Sequence, residues 1–415
     1  MPGAKSFVIS KQLVMEAYRK VKGNRGAAGV DGITIQDFDT NQKSHLYKIW
    51  NRMSSGSYFP CPVRLVEIPK GSGGTRPLGI PTISDRIAQM VVVLTLNPAV
   101  EPCFHQDSYG YRANKSAHQA LSVARKRCWQ YDWVVDLDIK AFFDTIDHEL
   151  LMKAVRKHTN CPWVLLYIER WLKVPYQNEL GERIARERGV AQGSVIGPLL
   201  ANLFLHYAFD EWMRRNYPHI AFERYADDSV CHCSSRQEAE QLKEAVGARL
   251  RGCKLQLNES KTKIVYCKDS NRKGEYEQVW FDFLGHTFKP RSVRSRAGEY
   301  FTGFNPAVSR SAQVRMSRTM RHWKLESWVH RDLYSIAEGI NAVIQGWINY
   351  YGKFYPSALR DVFHQLNMKL VHWVRNKFKR YRHHKTRAVY WLGRVALTWP
   401  TLFAHWQWGV KPTAG

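Results

Sequence analysis

The stretch FERYADDSVCHC, residues 222–233, sets two adjacent aspartates between two short runs that read as β-strands. Like charges at a hairpin tip repel, so the pattern asks for an offsetting partner, and a divalent cation is one that carboxylate oxygens suit. A second acidic segment, WVVDLDIKAFFD at 133–144, alternates as a strand does: Val135, Leu137 and Ile139 fall on one face, Asp136, Asp138 and Lys140 on the other. A buried apolar face would hold Asp138 rigidly on the opposite side. If the fold sets this strand beside the Tyr225-Ala226-Asp227-Asp228 turn, three carboxylates converge, and two Mg²⁺ ions would neutralise them. Paired metals support in-line phosphoryl transfer from a triphosphate to a hydroxyl. The competing readings are a solvated turn for Asp227 and Asp228, and helix capping for Asp144 and Asp147; capping is adopted for the latter pair.

Charge narrows the partner. With 62 Lys and Arg against 36 Asp and Glu the net charge is +26, a field suited to nucleic acid. A membrane surface is disfavoured, because the chain has no long basic amphipathic helix and no lipidation motif. Residues 289–415 hold 22 Lys and Arg against 5 Asp and Glu, a net +17, with eight of the 15 tryptophans. They read as a separate basic helical domain, bounded by the polar, aperiodic stretch KPRSVRSRAGEY. Within it NKFKRYRHHKTR, 376–387, interleaves Lys377, Lys379, Arg380 and Arg382 with Phe378 and Tyr381, a pattern that neutralises phosphates while rings stack on bases. Trp347, Tyr350, Tyr351 and Phe354 recur at helical spacing and read as core.

MPGAKSFVISKQ lacks the apolar core of a signal peptide, and MVVVLTL at 90–96 is too short to span a bilayer before Asn97-Pro98 ends it, so an intracellular protein is expected. The eight cysteines form no CxxC pair and should be reduced; Cys231-His232-Cys233 reads as alternating strand packing, and no zinc is expected. Helical spacing covers residues 11–22, 84–96, 116–127 and 236–251, with a further helix over PLLANLFLHYAFDEWMRR. Residues 62–81 read as two strands around a glycine-rich turn, TKIVYC as a strand and VWFDFLGHTF as a strand pair. Helices and antiparallel strands alternate without a regular βαβ rhythm, which predicts an α+β fold.

In order along the chain, GAAGVDG, IPKGSGGTRPLGIP, SYGYRANKSAHQAL, AQGSVIGPLLANLFL, YADD, LNESKTKI and FLGHTF resemble the reverse transcriptases encoded by bacterial group II introns, and the helical tail with INAVIQGWINYYGKF resembles their thumb or maturase domain. The resemblance implies a right-hand polymerase: an N-terminal extension and fingers over 1–130, a palm over 131–290 and a basic thumb/maturase domain over 291–415. It further implies catalytic metal carboxylates at Asp138, Asp227 and Asp228, with the Ile139 carbonyl an added ligand. Lys70 and Arg76 would grip the incoming triphosphate, Phe143 would exclude the ribose 2′ hydroxyl, Gln192 would sit against the nascent pair, and Lys261 would protonate pyrophosphate. The implied partners are group II intron RNA, an RNA template with a DNA primer, target DNA and dNTPs, in the bacterial cytoplasm or on the nucleoid. No HNH endonuclease set is present, so strand cleavage by the protein is not expected. Val190-Ala191 replaces the Thr-Pro common in the family, and Ala113 a common Pro, neither of which removes a functional group. Two other readings are a splicing RNA binder with a vestigial polymerase and a host-adopted reverse transcriptase in defence or DNA repair.

Overall fold

The computed structural model describes residues 6–24, 26–69, 74–294 and 297–413. The chain divides into two compact units, one of residues 1–124 and 133–264, the other of 125–132 and 265–415. The first carries strands β1 (Val63–Pro69), β2 (Thr75–Ile80), β3 (Trp133–Leu137), β4 (Tyr176–Gln177), β5 (Arg183–Ile184), β6 (Ala221–Tyr225), β7 (Asp228–Cys233) and the first half of β8 (Lys263–Tyr266). They form two sheets ordered β2-β1-β4-β5 and β6-β7-β3-β8. Helices and mostly antiparallel strands mix, as the aperiodic element order predicts.

The helix Ile83–Val100 runs through the core of this unit, with Ile87, Ala88, Val91 and Val92 wholly buried. Its start is fixed by a buried network in which Thr82 caps the Asp85 N–H while the Asp85 carboxylate accepts from Tyr58 at 2.7 Å and from Thr82 at 2.7 Å. The apolar run at 90–96 is therefore a core helix. Asn97-Pro98 does not end it at residue 96: Pro98 falls in the last turn, where its missing N–H costs the ladder one bond, and the helix continues to Val100. Among the described residues no helix is long and apolar enough to cross a membrane.

In β3 the expected alternation holds only in part, because Val134 is buried as completely as Val135. Both faces of the strand are therefore covered, and the helix Arg236–Gly252 is among the elements packed against it.

The second unit contains β9 (Phe281–Phe283), β10 (His286–Arg294) and β11 (Tyr300–Val308) in one antiparallel sheet, followed by helices Arg310–His322, Leu333–Tyr351, Arg360–Lys377 and Lys385–Thr398. Most of the stretch 289–300, which reads as an unpatterned connection, belongs to the β10–β11 hairpin. Its base is anchored by Phe281 against Phe288 at 4.7 Å and Phe304 at 6.1 Å. Beyond Phe288 no residue of β10 is buried, so no apolar alternation marks it. Trp347 stacks on Trp323 at 5.7 Å, and Tyr350, Tyr351 and Phe354 surround the His286 ring at 5.3–5.8 Å, the packing role their spacing predicts.

Asn367 ties the C-terminal segment to the helix Arg360–Lys377. Its Oδ1 accepts from His405 Nε2 at 2.8 Å and Trp406 Nε1 at 2.9 Å, and its Nδ2 donates to the Val410 carbonyl at 3.1 Å. Burial lowers the His405 pKa from 6.5 to about 3. The unfolded chain thus takes up a proton that the folded one refuses, and stability present above pH 6.5 is lost as pH falls towards 3, at about 1.4 kcal/mol per unit. Between pH 7 and 5, urea unfolding of the wild type should lose about 2 kcal/mol more than that of His405→Gln. Identical pH dependence in the two proteins would remove His405 as the cause.

Candidate active site

The β6–β7 hairpin turns through Ala226 and Asp227, with Tyr225 paired to Asp228 across it. Ala226 takes φ +57°, a left-handed conformation that costs a residue with a side chain about 1–3 kcal/mol and needs outside support. β7 in turn runs antiparallel to β3 with Leu137 opposite Ser229. Asp138, the next residue, therefore leaves β3 at the end of the sheet where Asp228 begins β7. Register alone brings Asp138, Asp227 and Asp228 to one sheet end.

The backbone around Asp138 is held from the other side. The Asp138 carbonyl accepts from the Asn258 N–H at 2.8 Å, its own N–H donates to Thr262 Oγ1 at 3.4 Å, and the Lys140 N–H donates to the Gln256 carbonyl at 2.9 Å. None of these bonds uses the Ile139 carbonyl.

The support for the strained turn is a buried guanidinium. Arg224, two residues before Ala226 and without solvent exposure, makes a bidentate pair with Asp210, Nε to Oδ1 at 2.7 Å and Nη2 to Oδ2 at 2.6 Å. Its Nη1 donates to the Ala226 carbonyl at 2.9 Å and to Asn202 Oδ1 at 3.0 Å, while Asn202 Nδ2 donates to the Gly110 carbonyl at 2.6 Å. Gly110 lies so close to the turn that a Cβ there would stand 2.4 Å from the Ala226 nitrogen. Asp210 ends a π-helical segment, His206–Asp210, inserted in the helix that the sequence shows as continuous.

The charge of Asp138 reaches both members of the doublet. Desolvation raises the Asp227 pKa, and the Asp138 charge raises it further. Asp228 is pushed up to about 7, by desolvation and then by the charges of Asp227 and Asp138. Asp228 is exposed, so water screens much of the first effect and the two neighbouring charges are the firmer cause. Lys261 opposes them: its Nζ lies 3.5 Å from Asp138 Oδ2 and lowers both Asp227 and Asp228.

The remaining candidate residues are spread along the same unit. Arg76 on β2 is exposed and acts on Tyr111, whose pKa is raised by desolvation and the Asp227 charge and lowered by Arg76. Lys70 lies outside the described residues. Phe143 is half-buried on the short helix Phe142–Thr145 and, with Pro77, Tyr176, Arg186 and Val190, lines an open cavity of about 650 Å³. The Val190 N–H donates to the Phe143 carbonyl at 2.7 Å, and Gln192 Nε2 reaches the Asp144 carboxylate at 3.3 Å, so the Phe143 and Gln192 loops form one knot. Asp147 caps the following helix through the Leu150 N–H at 2.9 Å, whereas Asp144 lies inside the preceding short one. Cys231 and Cys233 are buried, which pushes the Cys231 thiol well up and Cys233 to about 12.

Among the described residues no three His, Cys, Asp or Glu side chains form a ready metal cage. The donor set still fits a hard cation, since Mg²⁺ is held by one or two carboxylates and completes its shell with water and substrate phosphates.

Residues 68–288 match the family model described as reverse transcriptase (RNA-dependent DNA polymerase), and residues 313–391 match the group II intron, maturase-specific domain. The chain belongs to the group II intron type of reverse transcriptase. It is an RNA-directed DNA polymerase, of a family that uses divalent metal ions. Protein YkfC of Escherichia coli is 30% identical over 359 residues, 77% of this chain and 91% of that protein. The group II intron-encoded protein LtrA of Lactococcus lactis is 33% identical over 201 residues, 48% of this chain and 33% of LtrA. The putative COX1/OXI3 intron 1 protein of Saccharomyces cerevisiae is 29% identical over 208 residues, half of this chain and a quarter of that one.

Reading the sequence for acidic clusters missed Arg224, Asp210, Asn202 and Gly110. One signal was present: an aspartate in the apolar run LFLHYAFD, where a charge on a core-facing helix demands a partner. Replacing Arg224 by Met strands the buried Asp210 carboxylate, and unfolding free energy should drop by about 3–5 kcal/mol. Adding Asp210→Leu to Arg224→Met should recover part of that loss; strictly additive losses would show that the two side chains are not coupled.

Proposed function

We propose that this reverse transcriptase extends a DNA primer on an RNA template by two-metal nucleotidyl transfer and also binds group II intron RNA as a maturase. In this reading residues 1–130 supply an N-terminal extension and fingers, 131–290 a palm and 291–415 a thumb/maturase domain of a right-hand polymerase. The primer 3′ hydroxyl gives its proton to water and its oxygen attacks the dNTP α-phosphorus; that P–O bond forms as the bond to the pyrophosphate oxygen breaks and pyrophosphate leaves. Bound Mg²⁺, two ions in this scheme, would activate the hydroxyl and stabilise the leaving oxygens. Asp138, Asp227 and Asp228 would hold them, with the Ile139 carbonyl, which the flanking backbone bonds leave unused, as a further oxygen.

Around that centre, Lys70 and Arg76 would grip the triphosphate, Phe143 would stand against the sugar 2′ position and Gln192 against the nascent pair. Lys261, already beside Asp138, would deliver a proton to pyrophosphate. Lys379, Arg380 and Arg382 are exposed and suit RNA phosphates; Lys377 is more committed, since its Nζ donates to the Arg331 carbonyl at 2.6 Å. The working partners are intron RNA, template–primer, target DNA and dNTPs, with a cytoplasmic or nucleoid location.

The observation that carries this reading is the β3–β7 register, which delivers Asp138 to the Asp227-Asp228 turn. A protein that only chaperoned RNA would gain nothing from three mutually repelling carboxylates. Primer extension on an RNA template tests it: Asp227→Ala should lower the rate by on the order of a thousandfold, the equivalent of several kcal/mol of transition-state stabilisation. Equal extension by both proteins would discard the assignment. Phe143→Val should raise ribonucleotide incorporation relative to dNTP, and an unchanged preference would exclude Phe143 as the sugar gate.

A further inference from the structure

The second unit holds an open cavity of about 750 Å³ that the polymerase scheme does not use. Ala337 and the buried Trp373 lie at its base, and half-buried Phe378 and Trp391 stand at its sides. At the mouth are two strongly exposed rings, Tyr334 at 70% and Trp399 at 59%. Exposed aromatics around an apolar recess mark a binding surface more than a packing defect. The volume lies within the usual range for small-ligand sites and leaves room for a nucleoside.

Two neighbouring features say what would enter. Phe378 belongs both to the cavity wall and to the basic segment: Lys379 and Arg380 follow it at once on the short turn Lys379–Tyr381, and these two and Arg382 are exposed. Cations that suit phosphates therefore adjoin an aromatic wall that suits a base. Lys377 also lines the cavity, its Nζ held by the Arg331 carbonyl at 2.6 Å, and so do Asp332, which caps its helix through the Ser335 N–H, and Glu338. Their carboxylates repel phosphate and accept hydrogen bonds from ring N–H or exocyclic amino groups, so a base and not a phosphate would go in. An apolar peptide would satisfy the rings but make no use of the adjacent cations or of the +17 charge of residues 289–415.

We propose that this cavity captures an unpaired nucleobase of an RNA strand whose phosphates lie on Lys379, Arg380 and Arg382. The identity of the ligand rests on the RNA-binding part of the reading above, and the site adds base capture to what was there only charge. Stacking of this kind is tolerant of sequence and separable from the salt-dependent phosphate contacts.

The test uses the full chain and a mixed-sequence single-stranded RNA of about twelve nucleotides, within the site size of single-strand binders, beside an abasic twin with the same phosphates. Fluorescence anisotropy should show Trp399→Ala binding the base-bearing RNA about tenfold more weakly, with an unchanged salt slope and unchanged affinity for the abasic twin. Trp399→Phe, which keeps a ring, should restore most of the affinity. Because Trp399 is exposed, truncation removes little core, and unchanged primer extension on saturating template–primer would show that the variant is folded. Wild-type affinity for both RNAs in Trp399→Ala and Tyr334→Ala would overturn the proposal, as would an equal loss for both RNAs. Sedimentation showing self-association abolished by Trp399→Ala, with RNA binding intact, would overturn it in favour of a second copy in the cavity. Loss of primer extension in the wild type with the base-dependent effect intact would sink the polymerase mechanism and leave the cavity standing.

Discussion

A guanidinium with no access to water holds the acidic turn of this enzyme in place. Arg224 is locked by both oxygens of Asp210 and passes that rigidity to the Ala226 carbonyl, two residues along the chain. The turn needs such a hold twice over: Ala226 is strained in the left-handed region, and the aspartates that follow repel each other and Asp138. A buried ion pair is a weak source of stability, since desolvation consumes most of its attraction. Its worth here is geometric, because a bidentate pair admits one orientation and so one position for the carbonyl it supports.

Much of this site was legible before any coordinates. WVVDLDI and the doublet at 227–228 each mark a strand or a strand end by local pattern, whereas the pairing that sets Leu137 opposite Ser229 is a tertiary fact that neither pattern states. The supporting network was not legible. Arg224 sits in a strand whose other residues read as ordinary, and its partner Asp210 is 14 positions away on a helix whose π-helical turn has no signature in residue type. Gly110 is informative only once Ala226 lies 2.4 Å from where its Cβ would be.

The same limits explain the fold elements that differ. Pro98 and the polar run at 289–300 are breakers by local propensity, yet one lies in the last turn of a core helix and most of the other in a hairpin anchored at its base by phenylalanines. Local signals describe what a residue prefers when nothing else acts on it, and a few buried rings or one nearby helix end outweigh them. Buried apolar helices are legible because burial itself writes their pattern, and the turn at 226–227 because an acidic doublet marks it; projecting hairpins and polar props are not, because their outward faces carry no pattern to read.

Charge is divided along the chain in a way that suits two different demands. Residues 289–415 carry +17 of the +26, leaving +9 for the first 288 residues, where 40 Lys and Arg stand against 31 Asp and Glu. In the proposed scheme a carboxylate cluster that attracts divalent cations would lose affinity inside a strongly positive field, whereas a surface that holds RNA would gain from one. Lys261 shows the compromise at close range: one exposed ammonium, 3.5 Å from Asp138, is enough to ease the repulsion among the aspartates while water screens it from competing for them outright. A second buried cation in its place would keep the cluster ionised without metal and so remove the drive to bind one. With that partial relief Asp227 and Asp228 are still raised, by desolvation and by the Asp138 charge, which in the proposed scheme leaves them a demand for a cation.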